Sequence, residues 1–394
     1  MATFDDEKSG PSQSDREFKF PENRVESSAP ADVSISERPD ARRNFQQALV
    51  EVIERHPQLE AAFRRSLESP QIGEYHNEGE KMDSHLALII STLNDIKSGN
   101  FPGEVEPATQ AILREAALIN DAKKGVQKVN PDMIDYTFMH DISKPDSLTV
   151  KAVGEKAGIE ITWEQWQGIE KQGKPYKVTK PDGQAAEIAS ISYYHPSEGE
   201  KGQHGNKGAK SLQETPNISP IILTAIDKHE VAYQFGKINA ATYEEHFVTP
   251  GYTDEQQKWI VTASYIDTMA SLRTDGRPDL KNFTNLVRSR DNYLLIQSVL
   301  NTKAVIRDND LQALKKQDRV LSRADIEKTI VKEKKYNFNM LRTELGLAVE
   351  QKQLSEIERE QVIDIVTTDP NSLGKKMGSK MKLLKPILQR CEIG

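Results

Sequence analysis

The sequence predicts a mainly α-helical protein interrupted by one small β-rich insertion. Apolar residues recur at the three-and-four spacing of amphipathic helices through most of the chain. That pattern breaks at about 150–192, where short alternating runs and turn residues take over. Of the 394 residues, 36% are hydrophobic and 29% charged. That balance suits helices with one buried face and a charged outer face, together with some unfolded segments. A chain of this length is expected to form two or three domains, each able to bury a core.

Residues 1–40 are rich in Ser, Pro, Asp, Glu and Arg. They cannot bury enough surface to offset the entropy of ordering, so a disordered tail is expected. From Asp40 the pattern changes: Phe45, Leu49, Val52, Ile53 and Leu59 recur at helical spacing, so a helix begins near Ala41. Met82, Leu88, Ile89, Leu93 and Ile96 share a second helical face with His85 at its start. Residues 107–123 read as an amphipathic helix ended by Lys-Lys-Gly. Pro131 opens another, which runs to His140-Asp141 and is stopped by Pro145.

The insertion follows. Ile159–Trp163 reads as a short strand, and 176–189 as a β-hairpin turning at Pro181-Asp182-Gly183. Residues 195–208 read as a mobile loop rich in Gly, Ser and His. Helical spacing returns at 218–235 and 255–273, and in both helices a polar residue (His229, Asp267) falls on the apolar face. A buried imidazole or carboxylate needs a partner, and a metal ion is one. Beyond Pro278 the chain is helical again, ending in a basic stretch from Lys375 to Arg390. The expected organisation is thus a tail, a domain over 41–275 carrying the insertion, and a helical accessory region over 276–394.

Charge and composition exclude several functions. A net charge of −7 argues against nucleic-acid binding by the whole surface. No apolar run approaches the roughly 18–20 residues that span a bilayer, and the acidic N-terminus is unlike a signal peptide. Cys391 is the sole cysteine, so no disulfide forms within the chain; a cytoplasmic location is expected. There is no G-x-S-x-G elbow and no catalytic-type cysteine, and 199–208 fits no nucleotide-binding glycine motif.

Six residues point to chemistry: His85, the adjacent His140 and Asp141, His204, His229 and Asp267. Four imidazoles and two carboxylates form a nitrogen/oxygen donor set, which suits iron, manganese, zinc or nickel. Adjacent residues on a regular helix point about 100° apart, so His140 and Asp141 can serve one centre only where the helix ends. His76 and His195 are candidates for a general acid, and Lys144 lies three residues past Asp141. Glu230, next to His229, is expected to point away from the site.

The order His…His-Asp…His…His…Asp resembles the HD-domain superfamily of metal-dependent phosphohydrolases in its two-metal form. Phe138–Pro145 resembles that superfamily's apolar–apolar–His-Asp-x-x-Lys signature, and Tyr75-His76-Asn77-Glu78-Gly79 resembles the segment before its first ligand histidine. The resemblance covers about 70–275. It implies an HD-type helical bundle and two divalent ions held by His85, His140, Asp141, His204, His229 and Asp267. Asp141 would bridge the ions, and a bridging water or hydroxide would act as the nucleophile on a nucleotide, cyclic nucleotide or phosphomonoester. Lys144 would contact the anionic phosphate. The implied partner is therefore a small anionic substrate, with nucleic acid not expected despite the basic C-terminus. Tyr75 and Glu78 also resemble residues that gate the iron in HD-type diiron oxygenases, which makes such an oxygenase the main alternative. A non-catalytic sensor or adaptor with a structural site is a third.

Overall fold

A computed structural model describes residues 39–74, 76–101, 105–121, 125–301, 306, 308–330, 338–368 and 372–391. All but the last two residues of the expected disordered tail lie outside the described residues. The protein is mainly helical with two small sheets. No helix among the described residues is long and apolar enough to cross a membrane. Two compact units are formed, one running to Tyr293 and taking in Asp318–Val320, the other formed by Leu294–Gln317 and the chain from Leu321. The division falls inside one helix, Lys281–Leu300.

The first unit is built on helices α1 (Pro39–Arg55), α2 (Glu60–Leu67), α3 (Met82–Ser98), α4 (Pro107–Ala117) and α5 (Pro131–Met139). To these it adds α6 (Trp163–Lys171), α7 (His204–Leu212), α8 (Pro220–Lys228), α9 (Ala240–Tyr243) and α10 (Asp254–Ala270). The core lies between α1, α3, α4, α5, α8 and α10. Phe45, Val52, Leu86, Ile89, Leu93, Leu113, Tyr136, Ile226 and Ile266 are among its members. α10 is buried on all sides from Trp259 to Ala270, so Asp267 sits in a helix with no solvent face of its own at that level. Most of the stability of such helices comes from this packing and not from local propensity.

The sequence reading of 107–123 as one helix is corrected. The helix ends at Ala117, and the chain enters strand β1 (Leu118–Asp121), which pairs antiparallel with β2 (Val126–Val129). Asn120 and Asp121 favour turns, Gly125 takes φ +63°, and the β-branched Val126 and Val129 favour a strand over another helical turn.

The insertion is a four-stranded antiparallel sheet in the order β4-β3-β6-β5. Its strands are β3 (Leu148–Ala152), β4 (Ile159–Glu160), β5 (Lys177–Thr179) and β6 (Ala185–Tyr193). The expected turn at Pro181–Gly183 is present, with Gly183 at φ +84°. Trp163 departs from expectation. It opens α6 and is not in a strand, because Thr162 and Gln165 form a reciprocal capping box. The sheet has its own small core, including Leu148, Val150, Trp166, Ile188, Ile191 and Tyr193.

In the second unit, α11 is the C-terminal part of the Lys281–Leu300 helix; α12 (Asp308–Lys315) and α13 (Arg323–Glu327) follow. α14 (Phe338–Glu350), α15 (Glu356–Thr368), α16 (Leu373–Lys376) and α17 (Met381–Arg390) close around Leu341, Leu345, Val362, Ile365, Leu384, Ile387 and the buried Cys391.

Candidate metal centre

Each of the six residues is delivered by the end or the buried face of an element. His85 lies one turn into α3, on its buried face. α5 is started by Pro131 and by the Asn130 side chain, which accepts from the Asp132 amide. It stops at Met139, so His140 is the C-cap and Asp141 lies in the following turn. This termination lets both neighbours face one centre. Ser66 Oγ donates to the Asp141 carbonyl at 3.0 Å and pins the turn. A short 3₁₀ turn over Lys144–Asp146 then leads into β3.

The expected loop over 195–208 is corrected: after a 3₁₀ stretch at Pro196–Gly202, His204 is buried as the first residue of α7. Gly205 explains how α7 approaches α8. A Cβ at that position would lie 2.8 Å from the Ile226 carbonyl oxygen and 3.1 Å from His229 Cε1. The helix expected over 218–235 is also divided. α8 ends at Lys228 and a 3₁₀ turn, His229–Gln234, carries the next histidine. Ser264 Oγ donates to the His229 carbonyl at 3.0 Å.

The ring orientations follow one rule. Every one of the four histidines turns Nδ1 to a backbone carbonyl: His85 to Ala270 at 3.3 Å, His140 to Thr137 at 2.9 Å, His204 to Tyr193 at 3.1 Å and His229 to Ile226 at 2.7 Å. A carbonyl only accepts, so each Nδ1 carries a proton and Nε2 is the nitrogen turned inward. The inward nitrogens meet carboxylate oxygens and one another. His85 Nε2 lies 3.2 Å from Asp267 Oδ1, His140 Nε2 2.9 Å from Asp141 Oδ2, and His204 Nε2 3.1 Å from Asp141 Oδ1. His204 and His229 face each other, Nε2 to Nε2, at 3.1 Å. Lone pairs converging on carboxylates repel unless protons or cations lie between them.

Two buried groups result, His85–His140–Asp267 and Asp141–His204–His229, and each could hold a metal ion. Asp141 spans them. Its Oδ2 lies 2.9 Å from His140 Nε2 and 4.0 Å from His85 Nε2, while Oδ1 faces His204. His140 Nε2 and both Asp141 oxygens are fully buried without an aligned hydrogen-bond partner; short distances alone do not make hydrogen bonds. The donor set and these orphaned atoms fit a pair of divalent cations.

The electrostatics agree. Burial would lower the His85 pKa, but Asp267 and Glu78 raise it to about 9. Burial likewise opposes the rise at His204, which Glu230 and Asp141 bring about. At His229 burial prevails and the pKa falls. Burial would raise both aspartates; the charges of His140 and Lys144 hold Asp141 well below the usual range, and His85 does so for Asp267. The rises at His85 and His204 favour protons where cations would otherwise neutralise the carboxylates.

The remaining candidates divide. Lys144 is not a surface lysine: it is buried, with Nζ 3.0 Å from Asp141 Oδ2 and 4.7 Å from the centre of the Tyr193 ring. His76 is partly exposed and meets Glu78 at 3.2 Å. Glu78 is fully buried, 3.4 Å from His85 Nδ1, and accepts from the Leu272 amide at 3.2 Å. Burial would raise its pKa, but hydrogen bonds and charge from His76 and His85 bring it to about 2. Tyr75 lies outside the described residues. His195 is turned elsewhere: its ring meets Glu198, Lys207 and the Leu148 carbonyl, and none of the six. The negative charge of Glu230, the residue after His229, helps to raise the His204 pKa against burial.

Two residues near the centre were missed in the sequence. Tyr136, fully buried, stacks on His140 at 5.2 Å with its hydroxyl unpartnered; its place one helical turn before His140 was the available signal. Tyr193 offered none until β6 was paired with β3. No protein-family model, curated protein or solved structure matches the chain.

Proposed function

We propose that this chain is a metal-dependent phosphohydrolase of HD type, acting on a phosphoester such as a nucleotide, cyclic nucleotide or phosphomonoester. One observation carries the reading. Four histidines have Nδ1 committed to carbonyls and Nε2 aimed at two carboxylates, one of which divides its oxygens between the two halves of the cluster. His85, His140 and Asp267 would hold one ion, His204 and His229 the other, and Asp141 both. Divalent ions held there would supply an acidified water and neutralise charge on the attacked and leaving oxygens.

The chain's own groups do the rest. Backbone carbonyls fix all four tautomers. Lys144 brings positive charge beside Asp141, where it can meet a phosphate oxygen. His76, partly exposed and held by Glu78, would give a proton to the leaving oxygen. The buried walls of α3, α5 and α10 keep bulk water from the cluster.

The test is hydrolysis of 4-nitrophenyl phosphate and bis(4-nitrophenyl) phosphate by protein loaded in turn with manganese, zinc, nickel and iron. Turnover with at least one metal, abolished in Asp141→Asn, is expected. A second reading, an HD-type diiron oxygenase on a small anionic substrate, draws support from Glu78, buried against the Nδ1 side of His85. It requires two irons and a mixed-valent electron paramagnetic resonance signal, with no phosphoester turnover under any metal. Loss of stability without loss of any reaction in Asp141→Asn would instead favour the sensor or adaptor reading.

A further inference from the structure

Tyr193, at the end of the inserted sheet, joins that sheet to the metal centre. β3 begins four residues after Lys144, and its first residue, Leu148, pairs with Tyr193, the last residue of β6. Eleven positions later the chain reaches His204. Tyr193 therefore stands between the Asp141–Lys144 turn and the helix bearing His204, and it touches both. Its ring lies 4.7 Å from the Lys144 ammonium. Its carbonyl accepts from His204 Nδ1 at 3.1 Å, and the two rings meet edge to face at 6.0 Å. Its hydroxyl donates to the Pro70 carbonyl, which fixes the ring from the far side.

Lys144 needs such a support. Its side chain is only 6% exposed, and its one ion-pair partner among the described residues is Asp141. Once metal ions neutralise that carboxylate, the ammonium loses much of this attraction. A lysine is a flexible stem with a compact charge, and a buried aromatic face is a surface on which that charge can rest. The Tyr193 ring would then keep the ammonium at the centre, ready for an incoming anion.

We propose that Tyr193 is the positioning residue of the centre, holding Lys144 in place for an anionic substrate and orienting His204, so that the inserted sheet sets both anion affinity and the second metal site. The proposal rests on the metal-centre reading above. It assigns the insertion a role in the chemistry instead of that of a passive cover.

The experiment uses the full chain with cobalt(II), followed by its visible absorption, and inorganic phosphate added to the loaded protein. Tyr193→Phe keeps the ring and loses only the hydroxyl bond to Pro70; Tyr193→Leu removes the ring but keeps the backbone carbonyl. Pentafluorophenylalanine at 193 keeps the ring's shape while reversing the charge of its face, and it serves should the leucine variant fail to fold. We expect Tyr193→Phe to lie within about twofold of the parent in phosphate affinity. The fluorinated ring should bind phosphate at least threefold more weakly than Tyr193→Phe, in keeping with a cation–π contact in a desolvated site. Tyr193→Leu should also take up its first cobalt like the parent and its second at least threefold more weakly. With 4-nitrophenyl phosphate the loss should appear in KM and not in kcat. Equal phosphate affinity for the phenylalanine and fluorinated variants overturns the role of the ring, while two cobalt ions in the parent would leave the metal reading standing. A parent that takes up no cobalt overturns both.

Discussion

At the scale of single residues, metal binding depends on which atoms can carry a proton. Four Nδ1–H groups are given to carbonyls, so only Nε2 can exchange a proton for a metal. Burial lowers the His85 pKa, yet Asp267 and Glu78 raise it from 6.5 to about 9 in the metal-free protein. The sign follows from that rise: the stabilisation is fully present below about 6.5 and is lost as pH climbs through about 9. At pH 7.5 the ring is protonated, and a metal ion must displace that proton. Calorimetric zinc titrations in buffers of different ionisation enthalpy should therefore show at least one proton released per chain, and about one fewer in His85→Gln. Absence of release in the parent would mean that His85 is not a ligand. Asp141→Ala should lose both ions, whereas His204→Ala or His229→Ala should lose about one. Lys144→Met keeps much of the stem and removes the charge. It should retain both metals and lose at least about tenfold in kcat/KM on an anionic phosphoester, roughly 1.4 kcal/mol. Equal activity would reduce Lys144 to a structural partner of Asp141. The six ligand candidates were legible in the sequence because four of the chain's eight histidines fall in a set order with two aspartates. Glu78 was only half legible, since its burial depends on the Leu272 amide nearly 200 positions away. The direction of the His195 ring could not be read at all, since its partners come from β3 and α7.

At the scale of elements, the centre is assembled from ends. α5 ends one residue before Asp141's partner His140, α7 begins with His204, and α8 ends one residue before His229. The proline starts and the stop near Pro145 were legible because proline fixes φ and lacks an amide. The break at Lys228 was not, because the local sequence continues the helical pattern and only tertiary packing turns it into 3₁₀. The β1–β2 hairpin was hidden for a related reason: its apolar residues also fit a helix over so short a run. Gly205 offers the sharpest test at this scale. Its missing Cβ lets α7 pack on the Ile226 carbonyl and the His229 ring. Gly205→Ala should force backbone apart from backbone, lowering stability by about 1–3 kcal/mol, as overpacking usually does. It should also weaken the second metal site while sparing the first. Denaturant unfolding with cobalt titration measures both, and an unchanged second site would mean that α7 tolerates the shift.

At the scale of the whole molecule, a mainly helical chain was legible from helical periodicity. The division into two compact units falls within the helix Lys281–Leu300, where no change of composition marks Tyr293. The first unit closes its helical core around a knot of buried imidazoles and carboxylates that nothing but protons or cations can neutralise. The claim from which all else follows is that this knot holds two metal ions. Elemental analysis of the full chain, purified without added metal or chelator, tests it most directly. The account predicts two equivalents of iron, manganese, zinc or nickel per chain. A folded protein with none, and none taken up on titration with these metals, would contradict it.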